Sequence, residues 1–116
     1  MRYMLLLYGD EIETGKHDEE DMPKWFAFTE KLQAAGKMLG GEALQPTQTA
    51  TSIRLKGDTP ISLDGPFAET KEALGGFYMI EAKDLDEAVE WAKQVPNIPR
   101  GGTVEIRPIM EFDMDQ

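Results

Sequence analysis

Residues 2–8 read RYMLLLY, and this short apolar run, which ends at Gly9, decides the fold. A continuous apolar run of this length is typical of a β-strand that is covered on both faces. Successive side chains of a strand point to opposite faces, so the run divides into two sets. These are Tyr3, Leu5 and Leu7 on one face, and Met4, Leu6 and Tyr8 on the other. The sequence therefore predicts a strand with apolar neighbours on both sides.

Two helices are predicted, one in each half of the chain. The first covers residues 23–35, where apolar side chains recur at the spacing of one helix face. The polar and acidic residues 9–18 before it are expected to form a loop. The second helix begins after Asp84, which stands three residues before Glu87 in a variant of the capping box. Its apolar stripe runs from Leu85 to Val95.

Further strands follow from runs of apolar and β-branched residues. They cover residues 37–44, 49–56, 76–82 and 103–107, with 60–63 as a short edge strand. Pro108 indicates that the last strand lies at an edge or bulge of the sheet. The order predicts one α+β domain over residues 1–116. Its fold class is a ferredoxin-like two-layer sandwich, βαββαβ with an extra hairpin.

The uncovered face of the predicted sheet indicates a partner. Two helices cover only one face, although the strand at residues 2–8 is apolar on both. A second copy of the chain is the economical cover, because two-fold pairing is the commonest oligomeric arrangement. We therefore expect a homodimer.

The charge and the absence of cysteine exclude several classes of protein. The 116 residues include 12 Lys+Arg and 22 Asp+Glu, a formal charge of −10 that repels nucleic acid and anionic lipid. The chain has no cysteine, which rules out disulfides, thiol catalysis and cysteine-bound metal. No apolar run approaches the length of a membrane span, and no signal peptide is recognised. We expect a soluble cytoplasmic protein with no direct nucleic-acid or membrane partner.

Residues 63–78 read LDGPFAETKEALGGFY and combine turn residues with ionisable groups. Asp64-Gly65-Pro66 is typical of a turn in which the Asp side chain accepts backbone hydrogen bonds and Phe67 enters the core. That interpretation competes with a catalytic Asp64. Glu69 and Lys71 belong either to a solvated charged stretch or to a ligand pocket shared with Asp64 at one end of the sheet.

Other candidate site residues lie outside this motif. Tyr8 and Trp25 suit either the core or the wall of a ligand cavity near Asp64, and Arg54 is a candidate partner for a ligand carboxylate. His17, the single histidine, is interpreted as a solvated loop residue. One histidine and scattered carboxylates do not make a metal site, and the glycine pairs lack the spacing of a phosphate loop. We expect no metal and no cofactor.

The string DGPFAETKE, together with RYMLLLYGDE, GGEALQP, LGGFYMIEA and VEIRPIMEF, resembles the DGPF branch of the YCII-related family over nearly the whole chain. The resemblance implies a dimeric α/β barrel, in which two ferredoxin-like protomers pack sheet against sheet around a cavity. It also implies a bacterial protein, since similar domains are fused to sigma factors or encoded beside them. The wider family pairs the motif aspartate with a histidine near the start of the first helix. Here Asp64 is present, but residues 23–28 contain no histidine.

Two functions stay open on the sequence. The first is a small-molecule-binding module with a regulatory or accessory role, and the missing histidine favours it. The second is a cofactor-free lyase, isomerase or hydrolase, with Asp64 as the acid or base and Lys71 either fixing a substrate anion or tuning that aspartate. One fold hosts many functions, so the fold does not choose between them.

Overall fold

The computed structural model describes the backbone of residues 1–112 and the side chains of residues 1–10 and 21–112. Its elements follow the predicted order, and the α+β fold class is confirmed. They are β1 (Arg2–Gly9), α1 (Glu11–Ala34), β2 (Met38–Ala43), β3 (Thr51–Lys56), β4 (Thr59–Asp64), β5 (Ala73–Glu81), α2 (Leu85–Ala92) and β6 (Thr103–Pro108). Short 3₁₀ turns lie at Thr47–Thr49 and Ile98–Arg100.

Four strands form the main sheet in the order β2-β5-β1-β6, and every pairing is antiparallel. This is the strand order of a ferredoxin-like sandwich, in which β5 and β6 take the third and fourth places. β1 lies between two neighbours, as its apolar run predicts. β6 is an edge strand, where a proline such as Pro108 is tolerated because one side of the strand has no neighbour to bond.

The core lies between the helices and one face of the main sheet. On β1 the odd-numbered set is buried, and Leu5 is fully so. From α1, Phe28 meets Tyr78 of β5 edge to face with ring centroids 5.2 Å apart. The Thr29 Oγ1 and Tyr78 hydroxyl oxygens lie 2.8 Å apart in a hydrogen bond. The remaining buried apolar members are Tyr3, Leu7, Leu32, Ile80, Ala82, Ala88, Ala92 and Val95.

The start of α1 differs from the sequence-based expectation. The helix begins at Glu11, so the loop expected over residues 9–18 is almost entirely helical. Most residue types between Glu11 and Met22 have good or neutral helix propensity. The prediction missed them because it relied on the apolar stripe, which begins only at residue 25. Pro23 therefore lies inside the helix, where it removes one main-chain hydrogen bond. His17 is on this helix, and its side chain lies outside the described part of the chain.

The cap of α2 forms as the sequence predicts. The carboxylate of Asp84 accepts the backbone N–H of Glu87 at 2.9 Å. The Glu87 carboxylate in turn accepts the backbone N–H of Lys83 at 2.9 Å and lies 3.2 Å from the Lys37 ammonium. Leu85, expected in the buried stripe, is instead 52% exposed at the first residue of the helix.

The second face of the main sheet, which we call the open face, carries partly buried apolar side chains. They are Met4, Leu6, Tyr8, Leu74, Phe77 and Met79. One register row crosses all four strands as Glu42, Phe77, Leu6 and Glu105. The open face therefore has an apolar centre with a carboxylate at each edge.

β3 and β4 form a hairpin apart from the main sheet. They pair only with each other, from Thr51 opposite Asp64 to Lys56 opposite Thr59. The short edge strand expected at residues 60–63 is thus six residues long and belongs to this second sheet. The chain as a whole is a plate of 49 × 48 × 18 Å rather than a sphere.

Candidate functional site

The loop that carries the DGPF motif meets the end of β1. Tyr8 pairs with Leu74 and Gly9 with Ala73, after a register shift that follows Leu7. In an antiparallel pair, one strand begins at the end of the sheet where its neighbour ends. The loop before β5 therefore lies beside the residue that follows β1. The juxtaposition argued from the sequence is present in the structure.

A groove of about 480 Å³ lies at this end of the sheet. Its lining residues are Asp10, Thr70, Lys71, Glu72 and Gly101. The Thr70 hydroxyl donates to the main-chain carbonyl of Glu72 at 2.6 Å, which folds the loop back on itself. The Thr103 hydroxyl donates to the Glu72 carboxylate at 3.0 Å and fixes that side chain against β6.

The groove combines acceptors with one cation. Asp10 and Glu72 supply carboxylate oxygens, and Lys71 supplies an ammonium with three donors. Lys71 forms no ion pair with the side chains that the structure describes. This arrangement suits a small polar molecule whose hydroxyl groups donate to the carboxylates and whose carbonyl or oxyanion accepts from Lys71.

A second, smaller groove of about 290 Å³ adjoins the first. Its lining residues are Thr47, Gln48, Pro66, Ala68, Glu69, Thr70 and Ala73. Thr70 belongs to both grooves, so Glu69 and Lys71 lie on opposite sides of one threonine. The structure thus brings two of the three predicted charged residues to neighbouring surfaces.

Asp64 is not part of either groove. It is exposed at the end of β4, opposite Thr51. Its side chain accepts no hydrogen bond from the described residues, so the predicted turn cap is not observed. The turn is held instead by main-chain groups: Gly65 N–H donates to the Ala50 carbonyl at 2.7 Å, and the Ser52 hydroxyl donates to the Gly65 carbonyl at 2.8 Å.

The remaining predicted site residues lie apart within one chain. Tyr8 is on the open face, whereas Trp25 packs against the core on the helix side of the sheet. Arg54 is exposed on the β3–β4 hairpin. Phe67, expected to enter the core, is 81% exposed and shields nothing within its own chain.

One buried ion pair near the groove has no signal in the sequence. Asp21 of α1 is 5% exposed, and its carboxylate accepts a hydrogen bond from the Arg100 guanidinium at 2.5 Å. The Lys24 ammonium lies 3.6 Å from the other carboxylate oxygen. Arg100 directly precedes Gly101, so this pair ties the first helix to the segment that closes one side of the groove.

Four lining residues of the first groove were not among the predicted site residues: Asp10, Thr70, Glu72 and Gly101. Asp10 follows β1 directly and Glu72 stands beside Lys71, and these positions are the signal that could have identified both. Among the side chains that the structure describes, no group of three His, Asp or Glu residues is placed to hold a metal ion. No described helix is both long enough and apolar enough to cross a membrane.

Residues 1–113 match the model of the YCII-related domain. The chain belongs to the YCII-related family. An uncharacterised protein of Rhizobium meliloti (strain 1021) is 40% identical to this YCII-related chain over 114 residues, which cover 94% of the chain and 92% of the relative.

A solved structure shares the fold of this YCII-related chain. It is 5-chloro-2-hydroxyhydroquinone dehydrochlorinase (TftG) from Burkholderia phenoliruptrix AC1100, in complex with 2,5-dihydroxybenzoquinone. The TM-score is 0.58 at 16% identity, over 97% of this chain and 96% of TftG. At this identity the likeness establishes the architecture, and the ferredoxin-like class is confirmed.

Proposed function

We propose that this YCII-related protein is a small-molecule-binding homodimer with a regulatory or accessory role in the bacterial cytoplasm. The observation that carries the proposal is the groove at the end of β1, which Lys71, Asp10 and Glu72 line together. A groove of about 480 Å³ has room for a single-ring ligand. The family resemblance and the relative in Rhizobium meliloti support a bacterial origin.

The homodimer rests on the open face of the main sheet. Its apolar centre includes Leu6 and Phe77, with Glu42 and Glu105 at the edges of the same row. Two copies that place these faces together remove the apolar centres from water and enclose the space beside Tyr8. The groove then opens toward a cavity between the two protomers.

The proposed ligand is a compact ring with hydroxyl and carbonyl oxygens. Such a molecule donates to the carboxylates of Asp10 and Glu72 and accepts from Lys71. The 2,5-dihydroxybenzoquinone bound by TftG has this chemistry, which makes it a suitable probe. The likeness to TftG concerns the fold, so the choice of probe rests on the groups in the groove.

Calorimetric titration with 2,5-dihydroxybenzoquinone tests the role of Lys71. We expect the wild type to bind and Lys71→Met, which keeps the apolar stem, to bind about 10–100-fold more weakly, because a charge-assisted hydrogen bond is lost. Lys83→Met is the matched control, since Lys83 is also exposed but follows the other end of β5. Equal affinities for the two variants, or no binding by the wild type, would contradict the proposal.

The second candidate is a cofactor-free enzyme, a lyase, isomerase or hydrolase that uses Asp64 as its acid or base. The neighbour TftG is a dehydrochlorinase with a similar fold, which supports this candidate. Asp64 lies outside the grooves of its own chain. It therefore needs a second copy to bring it to a substrate.

Chloride release from 5-chloro-2-hydroxyhydroquinone tests this candidate. If Asp64 transfers a proton, Asp64→Asn lowers the rate about 100-fold or more. Asp58→Asn is the control, because Asp58 is an exposed carboxylate in the turn of the same hairpin. The dehydrochlorinase form of this candidate fails if the wild type releases no chloride, and the role of Asp64 fails if both variants match the wild type.

A further inference from the structure

The β3–β4 hairpin, Thr51–Asp64, is separate from the main sheet, and we call it the arm. Its strands pair with each other and with no strand of the main sheet. A two-stranded hairpin alone in water is marginally stable, because each strand has a single neighbour and neither face is covered. The arm therefore needs a surface to pack against.

The arm carries apolar side chains that the rest of the described chain leaves in solvent. Ile53 is 73% exposed and Leu55 is 69% exposed, on one face of the ribbon. Leu63, on the other face, is 45% exposed. Apolar side chains two apart on one exposed strand mark an interaction surface or an aggregation hazard.

The accessible surface of the chain identifies the size of the missing cover. The chain exposes 8560 Å², whereas a compact monomer of 13.0 kDa exposes about 6,300 Å². The excess is about 2,200 Å² per copy, or about 4,400 Å² for a pair, which falls within the range that obligate homodimers bury. The radius of gyration agrees, at 16.4 Å against about 13.4 Å for a compact chain of this length.

Size and continuity identify a second copy as the occupant. The excess surface matches what a homodimer of this chain buries, and the open face of the main sheet is also apolar. Arg54 and Lys56 lie on the face of the arm opposite Ile53 and Leu55, because successive side chains of a strand alternate. The arm also carries one carboxylate for each of these cations, Asp58 and Asp64. The contact therefore rests on the apolar face of the arm.

We propose that in the dimer each arm packs on the other protomer, with Ile53 and Leu55 buried at the contact and Arg54 and Lys56 on the face that points away from it. This inference rests on the homodimer proposed above and adds the element that holds it together. The exchange is reciprocal, so the two arms make two equivalent contacts.

Arm docking also reaches the candidate site. The base of the arm is bonded to the start of the motif loop through Ala50 and Ser52, which hold Gly65 at 2.7 and 2.8 Å. The same loop continues to Thr70 and Lys71 in the grooves. A partner that fixes the arm therefore fixes the segment that carries the ligand-binding lysine.

Sedimentation equilibrium of an arm variant is the first test. We expect the double variant Ile53→Asp/Leu55→Asp to raise the dimer dissociation constant at least 100-fold, because two carboxylates are forced into an apolar contact. The control is Leu85→Asp, which changes another exposed leucine, at the first turn of α2, and is expected to leave the constant within 3-fold. Unchanged dimerisation of the arm variant overturns the inference.

A single-cysteine probe decides the case if the arm variant fails to fold. The natural chain has no cysteine, so Ile53→Cys labelled with an environment-sensitive fluorophore reports on one position. We expect blue-shifted emission that moves to the red as the dimer dissociates on dilution, while a label at Leu85→Cys stays unchanged. A wild type that is monomeric sinks the dimer together with the arm. A dimer in which the Ile53→Cys label remains solvent-exposed sinks the arm contact alone.

Discussion

At the scale of single residues, Glu87 shows how one side chain joins two elements. It accepts the backbone N–H of Lys83 ahead of α2, lies 3.2 Å from the Lys37 ammonium before β2 and accepts the Trp91 indole N–H at 3.4 Å. The hydrogen bond from Lys83 chiefly lowers the pKa of Glu87 below its ordinary value of 4.5, and the bonds from Lys37 and Trp91 add to the effect. Burial opposes it.

The lowered pKa of Glu87 predicts a pH-dependent contribution to stability. A carboxyl that titrates at a lower pH in the folded chain stabilises the fold above its unfolded pKa, and this contribution is lost as pH falls through the folded pKa. We therefore expect Glu87→Gln to lower the urea midpoint at pH 7 but to approach the wild-type midpoint below pH 4.5. Glu90→Gln, on the exposed side of α2, is the control. The range from pH 7 to about pH 3 covers the titration of a carboxyl. If the urea midpoints of the wild type and Glu87→Gln differ by the same amount over that whole range, this account is contradicted.

At the scale of elements, the strands and the cap of α2 follow from local patterns. The two-sided run before Gly9 predicts the central strand, and Asp84 with Glu87 predicts where α2 begins. The start of α1 does not follow from such a pattern. The residues after Asp10 are mostly charged and have no apolar stripe, so the sequence does not distinguish a solvated helix from a loop. The independence of the arm was equally hidden, since β-branched alternation predicts a strand but not the sheet that it joins.

The site shows the same division between order and detail. Antiparallel order along the chain brings the motif loop to the end of β1, and Tyr8 opposite Leu74 confirms it. Which side chains meet there depends on the path of the loop, which Thr70 sets by bonding to the carbonyl of Glu72. The prediction of a buried Phe67 was wrong for the single chain, because the pattern of a turn does not reveal whether the following side chain turns inward.

At the scale of the whole molecule, the shape explains why one chain looks incomplete. A plate 18 Å thick has room for one layer of helices on one layer of sheet, so the open face has no cover of its own. The arm pairs with no strand of the main sheet. Both features place apolar surface where a second copy supplies the missing layer.

This shape predicts a thermal midpoint that depends on protein concentration. When two folded chains dissociate as they unfold, each tenfold increase in concentration stabilises the dimer by about 1.4 kcal/mol, which raises the midpoint by roughly 3–5 °C for a pair of this size. Leu6→Asp places a carboxylate at the centre of the open face, and we expect its midpoint to be lower and independent of concentration. Scanning calorimetry from about 5 to 500 μM measures both, a range chosen to span typical dimer affinities. If the wild-type midpoint stays constant over that range, the open face has no second copy on it, and the arm contact falls with it.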